Sequence, residues 1–398
     1  MGFGVYVHIP YCVKKCPYCD FNSYGVGSRI PEAEYTEAVL KETDFYAHYL
    51  EKIHLYSIFF GGGTPSLFSP ESIRKIVGRI KEITSPSDSL EVSLEVNPKT
   101  ADLEKLRAFR EAGVNRVSVG VQSFSERKLE FLGRINSPDD SRRVLEEISE
   151  AGFHNFNLDL MYGVSSETIE EWKTDLDMAV QFGSQHISAY CLTIEDDTEF
   201  GTLYSQNKLQ LPDDDELSDM ISFTTEFLEN AGYGQYEISN YAKPGFECRH
   251  NLVYWRGENY LGLGAGAHSH LGLNCRPSWG VRSANIKNPA LYMKSVKEGR
   301  RPVAFTEYLS RNEALDDRVL MGLRLREGIN LSKLEEKFGV KLSADKLNSL
   351  FDEGLIKISS NSLQLTNKGI LVSDELIIKI LDSVSIEQEY RQSLSDMG

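Results

Sequence analysis

Gly4-Val5-Tyr6-Val7-His8-Ile9 is followed after two residues by Cys12-Val13-Lys14-Lys15-Cys16-Pro17-Tyr18-Cys19, and these stretches decide the fold. The first is rich in β-branched and aromatic residues and predicts a β-strand. The second places three thiols at spacings of four and three in the loop that follows. Similar strand runs recur along the first half of the chain, at 55–60, 91–96, 116–120, 155–160 and 186–191.

Helical segments with charged faces separate these strands, at 31–50, 70–83, 102–112 and 137–151 among others. Such alternation implies parallel strands, because a parallel neighbour is reached only through a crossover connection. Gly113, Gly152 and Gly183 each follow a helical run, where a left-handed residue is expected. We therefore predict an α/β fold, a partial (β/α)6 barrel over residues 1–200.

The unusual residues fall at or just beyond the carboxyl ends of these strands. Ligands bind at that edge in β/α barrels and open α/β sheets. Besides the thiol cluster, the edge carries Gly61-Gly62-Gly63-Thr64-Pro65, Asn97-Pro98, Gln122-Ser123-Phe124 and Asp159.

The rest of the chain has a different character. We expect an α+β extension over 201–300, with a helix at 212–230 and an aromatic, glycine-rich segment at 233–279. Residues 301–398 predict a winged-helix-like domain, with helices at 312–325, 331–339 and 344–351 and a hairpin through Asn361. A DNA-binding regulator is one alternative for this domain. The second helix offers Asp345, Lys346, Asp352 and Glu353, which is not a basic reading face, so we expect no nucleic-acid partner.

Composition limits the class of protein. The 398 residues include 59 acidic and 43 basic side chains, a net charge of -16, which disfavours binding to phosphate backbones. No run of about 18 apolar residues and no basic N-terminal stretch is present, so we expect a cytoplasmic protein. Cys191, Cys248 and Cys275 are scattered, and the three clustered cysteines indicate a metal or redox site.

Three close thiols suit zinc or an iron-sulfur cluster, and both expect four ligands. One metal position therefore remains open to a substrate or cofactor. The alternative is a structural zinc ion completed by His8 or by a distant cysteine.

The cysteine spacing, with an aromatic residue just before the third thiol, resembles the radical S-adenosylmethionine (SAM) superfamily. Flanking motifs narrow the resemblance to the oxygen-independent coproporphyrinogen III dehydrogenase family and its HemW-like haem-chaperone branch, over nearly the whole chain. These motifs are Tyr6-Val7-His8-Ile9-Pro10-Tyr11-Cys12, Gly61-Gly62-Gly63-Thr64-Pro65-Ser66, Ser93-Leu94-Glu95-Val96-Asn97-Pro98, Gly120-Val121-Gln122-Ser123-Phe124 and Asp159-Leu160-Met161-Tyr162-Gly163.

The resemblance implies a 4Fe-4S cluster held by Cys12, Cys16 and Cys19, with SAM bound at the open iron. It also implies a set of residues that contact SAM, and no catalytic residue is assigned beyond them. This set is Tyr6, Tyr18, Gly62, Gly63, Thr64, Glu95, Gln122, Arg134 and Asp159.

Two departures favour the chaperone branch. The dehydrogenases carry a fourth cysteine two residues after the third and a long N-terminal extension, whereas this chain has Phe21 there and eleven residues before Cys12. The chaperones carry His-Asn-x-x-Tyr-Trp, present here as His250 to Trp255. A neutral imidazole can bind haem iron, so we predict His250 as the haem ligand, with Cys248 as an alternative thiolate.

The resemblance thus implies a haem chaperone that transfers haem to apo-haemoproteins, including membrane-bound respiratory enzymes, as a homodimer. Its location would be cytoplasmic and peripheral to the membrane. The alternative is a radical SAM enzyme that decarboxylates coproporphyrinogen III or acts on another tetrapyrrole.

Overall fold

A computed structural model describes residues 2–27, 29–272 and 279–386. Cys275 and residues 387–398 of the predicted third domain lie outside the described residues.

The first half of the chain forms a row of parallel strands connected by helices. Strands β1, β4, β5, β6, β7 and β8 are adjacent in that order and all parallel, which confirms the α/β prediction. The strands are β1 (Phe3–Ile9), β2 (Tyr11–Cys12), β3 (Tyr24–Gly25), β4 (His54–Gly62), β5 (Ser85–Val96), β6 (Arg116–Gln122), β7 (Phe156–Tyr162) and β8 (His186–Cys191). The helices are α1 (Glu32–Phe45), α2 (Ala47–Leu50), α3 (Pro70–Ile83), α4 (Leu103–Glu111), α5 (Glu126–Phe131), α6 (Pro138–Glu150) and α7 (Ile169–Gln181).

Local sequence explains where these helices begin and end. Ser69, Ser137 and Thr168 cap α3, α6 and α7, each accepting a hydrogen bond from a backbone N–H of the first turn. Gly113 and Gly152 follow α4 and α6 at φ of 101° and 86°, a conformation that costs glycine little. These stops return the chain to the sheet for the next parallel strand.

The extension continues the same sheet on both sides. Beside β1, a further strand runs parallel to it and three antiparallel strands follow; beyond β8 two short antiparallel strands end the sheet. The elements are α8 (Glu199–Ser205), α9 (Asp214–Asn230), β9 (Gly234–Gln235), β10 (Asn240–Ala242), α10 (Arg249–Trp255), β11 (Asn259–Leu263), β12 (His268–Leu271), β13 (Val281–Asn285), α11 (Pro289–Lys297) and β14 (Val303–Tyr308).

Buried polar contacts attach the extension to α1. Glu42 accepts hydrogen bonds from the Gly264 N–H at 2.8 Å, from Asn285 Nδ2 at 2.6 Å and from the Tyr292 hydroxyl at 2.6 Å. Burial raises the pKa of Glu42 to about 7, although each of these bonds favours the carboxylate. The turn after β11 is therefore fixed by a side chain of the barrel.

The C-terminal part has its own apolar core, which includes Leu334, Phe338, Leu350 and Leu363. It contains a helix, a turn, a second helix and a hairpin, as the sequence predicts. Ser360 and Asn361 turn the hairpin, both at positive φ. The elements are α12 (Arg311–Leu323), β15 (Ile329–Asn330), α13 (Leu331–Phe338), β16 (Val340–Leu342), α14 (Ala344–Asp352), β17 (Ile356–Ser359), β18 (Ser362–Leu365), α15 (Asn367–Ile370), α16 (Ser373–Asp382) and β19 (Val384–Ile386).

In the described part of the chain, no helix is both long enough and apolar enough to cross a membrane.

A buried cation joins α5 and α7 to the loop after β6. Lys128 is fully buried and pairs with Glu167 and with Asp175, the latter at 2.8 Å. Asp175 also accepts from the Ser123 hydroxyl and the Phe124 N–H, both at 2.7 Å. The cluster therefore fixes the loop that directly follows Gln122.

We expect Lys128→Met to lower the free energy of unfolding by about 3–5 kcal/mol, because two buried carboxylates lose their cation. Urea denaturation followed by circular dichroism measures this. The matched control is Lys75→Met, which removes an exposed cation 3.8 Å from Glu71 and is expected to cost less than about 1 kcal/mol. Equal losses in both variants would contradict the role given to Lys128.

Candidate functional site

The loops after β1 and β4 pack backbone to backbone. The Gly63 N–H donates to the Ile9 carbonyl, and the Thr64 N–H donates to the Tyr11 carbonyl, both at 2.8 Å. A Cβ on Gly63 would lie 2.7 Å from the Tyr11 oxygen, and Gly62 has a φ of 112°. Only glycine permits this approach.

The three clustered thiols line one cavity of about 350 Å³ at the carboxyl edge of the sheet. The Thr64 hydroxyl donates to Cys12 Sγ at 3.5 Å, and Arg134 Nη1 donates to Cys16 Sγ at 3.9 Å. Cys19 Sγ lies 3.8 Å from the Ser23 hydroxyl. Burial raises the pKa of Cys12 and Cys19, so binding of a metal must release their protons.

This donor set fits an iron-sulfur cluster better than a single zinc ion. Within the described ranges, no three His, Cys, Asp or Glu side chains are grouped closely enough to hold one metal ion. A 4Fe-4S cluster needs no such grouping, because each thiolate binds a different iron atom. His8 does not complete a zinc site, since its ring nitrogens bond to the Tyr6 hydroxyl at 3.0 Å and the Asn22 carbonyl at 2.9 Å.

Two carboxyl groups face the same cavity from β5 and β7. Glu95 accepts from the Gly62 N–H at 3.2 Å, and Asp159 accepts from Asn157 Nδ2 at 2.7 Å. Burial is the main cause that raises the pKa of Glu95 to about 8, and the nearby Asp159 is the second cause. Burial also raises the pKa of Asp159. Such a pair favours a ligand that brings a positive charge or hydroxyl donors.

Arg134 connects the carboxyl edge to the thiol loop. Its Nη2 donates to the Gly120 carbonyl at 2.7 Å, and the guanidinium also hydrogen bonds with Tyr18. Burial alone would lower the pKa of Arg134, but Tyr18 and Cys16 raise it, and the cation persists. Gln122 lines the same cavity at a φ of 68°, which is strained for a residue other than glycine. The cavity is thus lined by a positive charge as well as by the two carboxyl groups.

Tyr6 and His250 lie apart from the thiols. Tyr6 lines two neighbouring cavities, of about 330 and 400 Å³, and His250 lines the smaller one. His250 is 1% exposed, and its ring nitrogens bond to the Ser57 hydroxyl at 2.8 Å and the Tyr254 hydroxyl at 2.9 Å. Burial lowers the pKa of His250 to about 3. In this conformation neither nitrogen of His250 is available to iron. The alternative ligand Cys248 is also buried, and its thiol donates to Glu91 at 3.6 Å.

The structure also brings polar side chains into the barrel interior that the sequence analysis did not single out. Asn157 Nδ2 donates to the Ser118 hydroxyl at 2.7 Å, and the Ser188 hydroxyl donates to Asn157 Oδ1 at 3.1 Å. These residues hold Asp159 in place. Their signal was available, because parallel strands buried on both faces are normally apolar throughout, whereas these carry polar residues at alternate positions.

Comparisons with known proteins identify related families. The radical SAM superfamily model matches residues 6–179, and the HemN C-terminal domain model matches residues 309–372. The heme chaperone HemW of Haemophilus influenzae is 37% identical over 389 residues, covering 94% of this chain and 96% of that protein. The HemW of Bacillus subtilis is 36% identical over 377 residues, covering 94% and 97%.

A solved structure shares the fold. Coproporphyrinogen III oxidase (HemN) from Escherichia coli superposes with a TM-score of 0.79 at 24% identity, covering 96% of this chain and 89% of that one. Since relatives above 30% identity match over nearly their full length, the chain belongs to the radical SAM superfamily and, within it, to the HemW family of heme chaperones.

Proposed function

We propose that this protein is a haem chaperone, which binds haem and transfers it to apo-haemoproteins, and that it contains a SAM-binding 4Fe-4S cluster. The cavity that joins three thiols, a glycine loop and two carboxyl groups supports the cofactors. Full-length similarity to proteins named heme chaperone HemW supports the cargo. When bound, such a cluster and SAM supply one-electron chemistry.

We assign the residues around this cavity by their chemistry. Cys12, Cys16 and Cys19 would hold the cluster. Glycine loop residues Gly62, Gly63 and Thr64 would contact the methionyl group of SAM, because the backbone there is open to close approach.

The charged groups would orient the rest of SAM. Arg134 would pair with its carboxylate, while Glu95 would accept from its ammonium group and Asp159 from its ribose hydroxyls. Gln122 and Tyr18 line the same cavity and complete the set. Tyr6 would contact SAM from the side of the two adjoining cavities, which it lines.

The finer partners are also part of the proposal. Membrane-bound respiratory enzymes are the intended recipients, and the working form is a homodimer. The predicted haem ligand His250 could act only after its ring leaves Ser57 and Tyr254.

We expect Cys16→Ser to abolish most of the bound iron and sulfide after anaerobic reconstitution. Cys191→Ser is the matched control, because Cys191 lies outside the thiol cavity and should leave both contents unchanged. Iron and sulfide assays with visible absorbance measure the result. Full cluster content in Cys16→Ser would contradict the assigned ligand.

We expect Glu95→Gln to weaken SAM binding about tenfold or more, because the ammonium group of bound SAM favours the ionised form of Glu95 and glutamine cannot supply that negative charge. The same variant should be more heat-stable than the unmodified chain at pH 9. The raised pKa of Glu95 means that the folded state keeps a proton that the unfolded state releases above about pH 4.5, so stability falls as pH rises towards 8. Glutamine does not ionise, so the variant does not lose this part of its stability as pH rises.

Calorimetry on the cluster-loaded protein measures SAM affinity, and thermal melts at pH 5 and pH 9 measure stability. Exposed Glu146→Gln is the control for both measurements. A melting temperature that falls in Glu95→Gln at pH 9 would show that the buried carboxyl is not a destabilising group.

The haem-chaperone proposal is tested on one cluster-loaded sample. Added haem should give a Soret band and should pass to an apo-haemoprotein, whereas coproporphyrinogen III should remain unchanged in the presence of SAM. Formation of protoporphyrinogen with SAM consumption would instead identify a dehydrogenase.

A further inference from the structure

The larger cavity beside the thiol site has a composition suited to a flat, apolar, anionic ligand. It has a volume of about 400 Å³, and its walls carry aromatic, imidazole and amine groups. We call it the extension cleft and define it by Phe21, Tyr254, Tyr260, His268 and Lys287. None of the functions assigned above uses Phe21, His268 or Lys287.

We propose that haem binds in the extension cleft with His268 as its axial ligand. This inference rests on the proposed haem-chaperone function and assigns the site at which that function occurs.

His268 is presented as a free imidazole. It begins β12, is exposed, and in the described part of the chain no hydrogen bond reaches either of its ring nitrogens. Partial burial, together with the nearby Lys287 cation, lowers the pKa of His268, which keeps the ring neutral at pH 7 as iron binding requires. His250, by contrast, has both nitrogens engaged inside the protein.

Aromatic faces form the walls of the cleft. Phe21 is 62% exposed, so its ring is available to a ligand that enters the cleft. The rings of Tyr254 and Tyr260 meet edge to face, with centroids 4.6 Å apart, which favours their present orientation. A porphyrin would bury Phe21 while its other edge stays in solvent, an arrangement suited to a cargo that has to leave.

The charges of the cleft set the orientation of the ligand. Lys287 is exposed, and no carboxylate among the described residues pairs with it, so it is available to a haem propionate. The two carboxyl groups of the cleft are Asp20 and Glu95. Glu95 is mostly protonated at pH 7 because burial raises its pKa to about 8, whereas exposed Asp20 would repel a propionate. The propionates should therefore point towards Lys287.

Hydrogen bonds connect the loop after the thiols, which carries Phe21, to the segment of the extension that carries Lys287. Asn22 Nδ2 donates to the Ala265 and Lys287 carbonyls, both at 3.0 Å, and the Tyr24 hydroxyl donates to the Lys287 carbonyl at 3.3 Å. Phe21 precedes Asn22 directly. The position of Phe21 relative to β12 is thus fixed by hydrogen bonds rather than by apolar contact alone.

The test is a haem titration of the full-length protein and its variants, followed by Soret absorbance and by electron paramagnetic resonance of the ferric complex. We expect His268→Ala to weaken haem binding about tenfold or more and to remove the nitrogen-ligand signature. Millimolar imidazole should restore that signature in the haem that co-elutes with folded His268→Ala on gel filtration, whereas an unfolded variant would leave no haem in that fraction. Phe21→Ala and Lys287→Ala should each weaken binding severalfold while keeping the signature.

The matched control is His154→Ala, which removes another exposed histidine, just before β7 at the opposite edge of the sheet. It should bind haem as the unmodified chain does. If His250→Ala removes the signature and His268→Ala keeps it, the assignment of His268 is wrong while the haem-chaperone function stands. If the unmodified, cluster-loaded chain binds no haem, the proposed function itself fails.

Discussion

The close backbone contact between the loops after β1 and β4 is the constraint on which the site depends. Gly62 and Gly63 have no Cβ, so this loop can hydrogen bond directly to Ile9 and Tyr11. That contact places the Thr64 hydroxyl on Cys12 and the Gly62 N–H on Glu95. A side chain at position 63 would push the two loops apart. The thiols and the carboxyl groups would then no longer line the same cavity.

A second, buried set of contacts orients the extension towards this edge. Glu42 fixes the Gly264 N–H, and the Tyr35 hydroxyl accepts from Ala265 while donating to the His8 carbonyl. The turn between β11 and β12 is therefore built against β1 rather than free in solvent. These contacts therefore also determine the position of His268, the exposed residue at the start of β12.

The sequence alone predicted the parallel strands and the thiol loop because both depend on short-range patterns. It missed the start of β5 at Ser85, since Ser85-Pro86-Ser87-Asp88-Ser89 carries no apolar alternation, and only Ser85 and Pro86 of this stretch pair with β4 before the register shifts. It also missed the parallel pairing of β11 with β1, which joins residues more than 250 positions apart. The environment of His250 was equally out of reach, because its partner Ser57 lies on a distant strand and no local spacing indicates that contact.

Glu95 lines the thiol cavity, the barrel interior and the extension cleft alike. A single ionisable group is thus shared by three neighbouring chambers. Any ligand that changes its protonation in one chamber changes the electric field in the other two, and thermodynamic linkage makes the effect mutual. With SAM and haem in the chambers proposed above, cofactor occupancy and cargo affinity would be connected through this one proton.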